Sequence, residues 1–214
     1  MINKQIINLT NVLRTKRNEI QIINEEIKEI EQAIETINKF SLTNDKPSLL
    51  IAIRDCSGSM GTWERKISSE IYNQIFDILS VSYKNLDVCY ILHNTEAFVV
   101  NKLADFSDGQ ETGGTRCSPA YQKALEIIDI IDNKDLDIYI LHLTDGDNIG
   151  SDNKKSLDLV NELANKSKMI MYGEILRVYY SSTLANVLKV NPSISIFTIR
   201  EEKEINSKVQ GLFE

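Results

Sequence analysis

From residue 49 onward, short apolar runs alternate with stretches of helical periodicity, and this constrains the fold more than any other feature. Strand-like runs cover 49–54, 87–92, 96–100, 137–143, 169–176 and 194–199. Helix-like runs cover about 62–81, 118–132, 154–167, 180–190 and 201–213. In the first helical run Ile67, Ile71, Ile75 and Ile78 share a face, and in the second Tyr121, Leu125, Ile128 and Ile131 do. Strands separated by helices need crossover connections, which produce a mainly parallel sheet covered on both faces. Runs 87–92 and 96–100 are too close for a helix between them, so they form a hairpin around Asn94 and one strand is antiparallel. The expectation is an α/β, Rossmann-like domain over 49–214.

Residues 1–40 follow another rule. Ile2, Ile6, Leu9, Leu13, Ile20, Ile23, Ile27, Ile30, Ile34 and Ile37 alternate spacings of three and four, and only Lys16 breaks the seam. That is a heptad pattern without internal Gly or Pro, expected as a long N-terminal coiled-coil helix. At 1.5 Å per residue it would reach about 60 Å. The first reading is a coiled coil, between chains or with a docked hairpin partner; the second is an amphipathic helix lying on its own domain. Length favours the first, and with it a homo-oligomer through residues 1–40. Ile at both seam positions favours three or four strands. Residues 41–48, with Asn44, Asp45 and Pro47, read as a linker.

The 214 residues suffice for one sizeable domain plus an appendage. No apolar run approaches the length of a membrane span and nothing at the N-terminus looks like a secretory signal. A net charge of −7 and a pI near 5 argue against a nucleic-acid phosphate binder. Cys56, Cys89 and Cys117 show no CxxC pairing and read as reduced thiols. With two histidines and scattered cysteines, a zinc site is not expected.

The chemistry concentrates where strands end. In an open parallel sheet, ligands gather beyond the carboxyl ends of the strands. Asp55, Ser57 and Ser59 follow the first strand, Gly113-Gly114-Thr115 precedes the second helix, and Thr144-Asp145-Gly146-Asp147 follows the fourth strand. A carboxylate and hydroxyls at alternate positions of a turn suit a hard cation, Mg²⁺ or Mn²⁺. Two glycines let Thr115 approach closely, and Asp145 can bind directly or through water. Singly, each piece reads more simply: an Asp followed by serines is usually a helix cap and Asp-Gly a turn. Their order and placement carry the reading. Asp-x-Ser-x-Ser with the two later segments resembles the metal-ion-dependent adhesion site of von Willebrand factor A domains. The expected ligands are Asp55, Ser57, Ser59, Thr115 and Asp145. Only the two aspartates carry charge, so the cation remains electrophilic and gains from one further anionic oxygen, which an Asp or Glu of a partner protein can supply.

The resemblance is closer still across Arg54–Glu64, His93-Asn94-Thr95-Glu96-Ala97, Glu111–Ser118, Ala120–Leu125, Thr144–Asn148 and Ser151-Asp152-Asn153. These segments, within about 50–153, are similar to the YeaH/YhbH family of bacterial proteins, which includes a sporulation protein. The resemblance implies a von Willebrand A-type fold, a cytoplasmic setting, a PrkA-type serine kinase as partner and no established enzymatic activity. One departure is the N-terminal helix, where the family usually carries a long, basic, flexible region.

Several residues admit two readings. His93 either stands near the metal face or is a packed turn histidine. His142, between Leu141 and Leu143, reads as a core histidine. Asp147 and Asp152 read as caps of turns or helices, with tuning of the metal through water as the second reading, and Cys56 as buried rather than reactive. The segment Ala104–Gly114 reads as a loop returning to the metal face. The leading function is a metal-dependent adaptor, not an enzyme. The alternatives are a metal-assisted phosphohydrolase and a purely structural coiled-coil scaffold. An aspartyl phosphatase with Asp55 as nucleophile needs a second Asp two positions on, where Ser57 stands.

Overall fold

The structure, a computed structural model, describes residues 16–25, 27–28, 45–131, 135–176 and 182–214. Contacts divide the chain between Leu42 and Thr43 into two units. In the first unit, residues 16–25 and 27–28 are helical, and Ile20, Ile23 and Ile27 of the seam are exposed. The remainder of the heptad pattern and residues 41–44 of the linker lie outside the described residues.

The second unit is built on one six-stranded sheet. Its strands are β1 (Ser48–Asp55), β2 (Leu86–His93), β3 (Ala97–Val100), β4 (Asp137–Thr144), β5 (Met169–Ile175) and β6 (Ile194–Ile199), in the order β3-β2-β1-β4-β5-β6. All neighbours pair in parallel except β2 and β3, which form the antiparallel hairpin expected around Asn94. There the Asn94 side chain accepts from the Glu96 amide, an Asx turn that closes the hairpin. The helices are α1 (Thr62–Ser82), α2 (Leu103–Asp108), α3 (Ser118–Ile131), α4 (Asn153–Lys166), α5 (Thr183–Leu188) and α6 (Ile205–Gln210).

Strand β1 shows why the runs are apolar throughout rather than alternating. Leu49, Ile51 and Ile53 face one core with Tyr121, Leu125, Val160 and Leu163 from α3 and α4. Leu50 and Ala52 face the other with Ile67, Ile71 and Ile75 from α1 and Val209 from α6. A strand buried on both faces needs an apolar side chain at every position. Of the segment 104–114, read from the sequence as loop, residues 104–108 belong to a short helix that starts at Leu103. The terminal helical run is also shorter than expected: a 3₁₀ turn at Glu202–Glu204, closed by a capping box between Glu201 and Glu204, leads into α6.

Strand order reverses at β1, which has β2 on one side and β4 on the other. The crevice beyond the carboxyl ends of β1 and β4 is therefore the switch point at which such sheets bind ligands. At the opposite end of β4 the Asp137 carboxylate accepts from Lys46, Lys168 and the Tyr83 hydroxyl. Burial pushes this carboxyl up, but the three donors outweigh burial and hold it at about 2. An unfolded Asp titrates near 3.9. The group therefore contributes about 2 kcal/mol at neutral pH, and this is lost as pH falls from about 5 towards 2. Urea unfolding across that range should show the loss in wild type and its absence in Asp137→Asn; parallel curves for the two proteins would refute it.

Candidate metal centre

Strand β1 delivers Asp55 to the switch point, with no exposure to solvent. Its Oδ1 accepts from the Ser57 amide at 2.8 Å, and its Oδ2 accepts from the Thr144 hydroxyl at 2.9 Å. Thr144 ends β4, so this bond joins the two strand ends across the crevice; its Oγ1 in turn accepts from the Gly146 amide at 3.1 Å. Gly146 has φ +83°, and a Cβ there would stand 3.1 Å from both Glu174 Oε1 and Ser182 Cβ, so the turn requires glycine.

The hydroxyls of Ser57 and Ser59 lie 3.1 Å apart, with Ser57 buried and Ser59 exposed. Ser59 also hydrogen-bonds the Asp145 carboxylate. Burial first, and the charge of Asp55 second among the raising influences, push the Asp145 carboxyl above its ordinary range. Two carboxylates repelling each other beside two hydroxyls form a donor set that a hard divalent cation relieves.

Thr115 is 2 % exposed, and its Oγ1 is buried with no hydrogen-bond partner among the described residues. Gly113, at φ +133°, and Gly114 lead the chain into it. The Thr115 carbonyl accepts from the Ile149 amide at 3.1 Å, and the Arg116 amide donates to the Asn94 carbonyl at 2.7 Å. Thus Asp55, Ser57, Ser59 and Asp145 interact directly, whereas Thr115 is tied to the Asp145 loop through its backbone. All five expected residues belong to the segments at the carboxyl end of the sheet, and the donor set is hydroxyl and carboxylate oxygen, as Mg²⁺ or Mn²⁺ requires.

Three residues that the sequence reading did not count among the ligands support this arrangement. Thr144 is the first. Arg54 is the second: fully buried, it donates to the carbonyls of Phe106, Asp55 and Gly109. A charge inside an apolar strand was the available signal. The third is Asp152, whose capping role is larger than a single turn. It accepts from the Cys117 and Ser118 amides and from the hydroxyls of Ser118 and Ser156, so it caps α3 from the start of α4. Burial raises its carboxyl, yet these donors hold it below the ordinary range.

The ambiguous residues also find places. His93 is fully buried, with Nδ1 3.0 Å from the Arg116 carbonyl and Nε2 2.8 Å from Nε2 of His142. His142 is the core histidine expected, with the Tyr121 hydroxyl on its Nδ1 at 2.7 Å. Cys56 is buried, and burial pushes its thiol up to about 11, which removes it from thiolate chemistry at neutral pH. The 104–114 segment is anchored by the Glu111 amide, which donates to the Cys56 carbonyl at 2.7 Å.

Among the described residues no helix is long and apolar enough to cross a membrane. Comparison with solved structures finds the same fold in the VWA domain of SpRpn10, at TM-score 0.61 and 15 % identity, covering 77 % of this chain and 94 % of that one. The N-terminal domain of TFIIH p34 matches at TM-score 0.53 and 16 % identity, covering 78 % and 97 %. At such identities the likeness shows the fold alone, a von Willebrand A-type domain. Sequence relatives are nearer. A UPF0229 protein of Bacillus cereus strain B4264 is 41 % identical over 175 residues, 80 % of this chain and 44 % of its own length. Another, of Halalkalibacterium halodurans, is 37 % identical over 173 residues, 79 % and 44 %. A third, of Shouchella clausii, is 34 % identical over 207 residues, 95 % and 51 %. The chain thus spans about half the length of the curated relatives it matches. The likeness extends beyond residues 50–153: the family model described as "Protein of unknown function (DUF444)" matches residues 3–214, the N-terminal heptad region included. By that match and by these relatives, the chain belongs to the DUF444/UPF0229 family.

Proposed function

We propose that this domain is a protein-interaction module that captures an acidic side chain of a partner through a divalent cation. Asp55, Ser57, Ser59, Thr115 and Asp145 would hold Mg²⁺ or Mn²⁺, and the partner's Asp or Glu would complete the shell. The observation that carries the reading is the buried hydroxyl of Thr115, which has no partner among the described residues. A buried polar atom without a partner costs about 1–3 kcal/mol, and a cation at the switch point would supply the missing interaction. Held by three neutral hydroxyls and only two carboxylates, the ion would stay electrophilic, which favours an incoming carboxylate over reaction chemistry. The similarity to YeaH/YhbH proteins extends the proposal to a cytoplasmic setting and a PrkA-type serine kinase as one partner, in stress or sporulation.

Calorimetry with Mg²⁺ and with Mn²⁺ tests the centre. Wild type should bind one ion and Asp55→Asn none, and capture of the kinase by wild type should be lost on adding EDTA. Capture indifferent to both EDTA and Asp55→Asn would rule out the mechanism. The heptad region supports a second element of the proposal, assembly of several copies through residues 1–40. Deleting those residues should lower the mass measured by light scattering to that of one domain; an unchanged mass would dismiss it.

A further inference from the structure

The core beneath the hard-cation centre gathers a different set of donors. His93 ends β2, His142 lies in β4, and Cys117 immediately precedes α3. All three are completely buried. The two Nε2 atoms face each other at 2.8 Å, and one ligand atom from each of the three residues lies within 4.8 Å of the others.

The outer ring nitrogens decide what this cluster can do. His93 Nδ1 faces the Arg116 carbonyl, which only accepts, so Nδ1 carries the proton and Nε2 presents a lone pair. His142 Nδ1 faces the Tyr121 hydroxyl, which can donate or accept. When the hydroxyl donates, His142 carries its proton on Nε2 and shares it with His93. When the hydroxyl accepts, that proton sits on Nδ1 and both Nε2 lone pairs point into the same space. The second state is the arrangement of metal-binding histidines, each of which donates its outer N–H to an oxygen that fixes the ring. A metal ion then takes the place of the shared proton.

Cys117 supplies the third donor. Its amide is held by Asn148 Oδ1 at 3.1 Å and Asp152 Oδ2 at 3.2 Å. Burial, and then the charges of Asp55 and Asp152, oppose a bare thiolate there. As the metal enters, the sulfur would give up its proton to solvent and bind as the thiolate. Two imidazoles and a thiolate suit the zinc class rather than magnesium. Three protein ligands leave one position of a tetrahedral ion for a small ligand such as water.

We propose that His93, Cys117 and His142 form a second site that binds one zinc-class ion, separate from the oxygen-lined centre above it. Bound there, the ion would tie β2 to β4 and to the segment that carries Thr115, two residues before Cys117.

Cobalt(II) is the probe, because its thiolate complexes absorb in the near ultraviolet and oxygen-ligated cobalt does not. The full chain is unfolded and refolded with excess Co²⁺, so that the buried site loads as the fold forms. The expected result is one thiolate charge-transfer band per chain, displaced by Zn²⁺ and accompanied by a raised Tm. The band should vanish in Cys117→Ser and persist in Cys56→Ser and Cys89→Ser. It should also persist in Asp55→Asn, which removes the Mg²⁺ site, so the two proposals fail separately. Failure of the wild type to develop the band, or its survival in Cys117→Ser, overturns the assignment. Histidine ¹⁵N shifts decide independently of any variant: Zn²⁺ should move both Nε2 resonances, and unmoved resonances would leave the pair a hydrogen-bonded core link with no metal role.

Discussion

Replacing Thr115 by Val should abolish Mg²⁺ binding and leave the metal-free domain as stable as wild type, or about 1 kcal/mol more stable. Most buried Thr→Val changes strand a partner and cost stability, because the hydroxyl was bonded. Here the hydroxyl has no partner to lose among the described residues. Removing it relieves the cost of burying an unsatisfied group, which protein substitutions place at about 1–3 kcal/mol. The gain falls at the low end because a methyl group fits the space imperfectly. In Mg²⁺ the order should reverse. At a concentration of 100 times Kd, wild type gains about 2.7 kcal/mol from the bound ion, and the variant gains nothing. Urea unfolding in EDTA and in Mg²⁺ reads both signs. A variant that is less stable in EDTA by 1 kcal/mol or more would assign Thr115 to a structural hydrogen bond and remove the observation on which the cation centre rests.

Strands β1 and β4 are legible in the sequence because they are buried at every residue and so read as long apolar runs; the edge strand β3, which has no buried residue, is legible only as a short apolar run close behind β2. The helices are legible in proportion to their buried stripe. Helix α1 turns Ile67, Ile71, Ile75 and Leu79 inward over 21 residues, whereas α2 has six residues and buries only Phe106, too little periodicity to distinguish from a loop. The oxygen donors of the candidate centre are readable because they are local: Asp55, Ser57 and Ser59 share one turn, and Thr115 is announced by two glycines. What joins them is not local. Thr144 reaches Asp55 across 89 positions and Arg54 reaches Gly109 across 55, so neither bond leaves a mark in the spacing. The same holds for His93, Cys117 and His142, which are brought together because β2 and β4 flank β1 and not by any metal-binding repeat. Sequence spacing reports ligands that share a turn or a helix face. It is silent on groups that distant segments of the chain bring to one place.

Arg54→Met should cost about 3 kcal/mol of stability and release helix α2 from the sheet. The guanidinium is completely buried and no carboxylate accepts from it among the hydrogen bonds described. Its Nε donates to the Phe106 carbonyl at 2.6 Å, Nη2 to Gly109 at 2.6 Å and Nη1 to Asp55 at 3.3 Å, while the Phe106 ring packs 5.6 Å from its centre. Burial draws its pKa down to about 10, so it remains charged at neutral pH. The three carbonyls therefore stabilise a buried cation, and the cation satisfies two groups at the end of a six-residue helix and one at the end of β1, beside the packing of the Phe106 ring on Tyr72 and Tyr90. Methionine keeps the volume and removes every donor. Each stranded carbonyl costs about 1–3 kcal/mol, reduced where water reaches the helix end. Lysine should recover less than half of the loss, since one ammonium cannot span three acceptors that a planar fork meets together. Hydrogen exchange locates the damage. The Phe106, Gly109 and Glu111 amides, which bond Lys102, Asp105 and Cys56, should exchange faster in the variant, while amides between β4 and β5 stay protected. A loss below 1 kcal/mol, with the Phe106 amide still protected, would mean that the Phe106 side chain alone anchors α2. The 109–111 segment over the Asp55 turn would then owe nothing to the arginine.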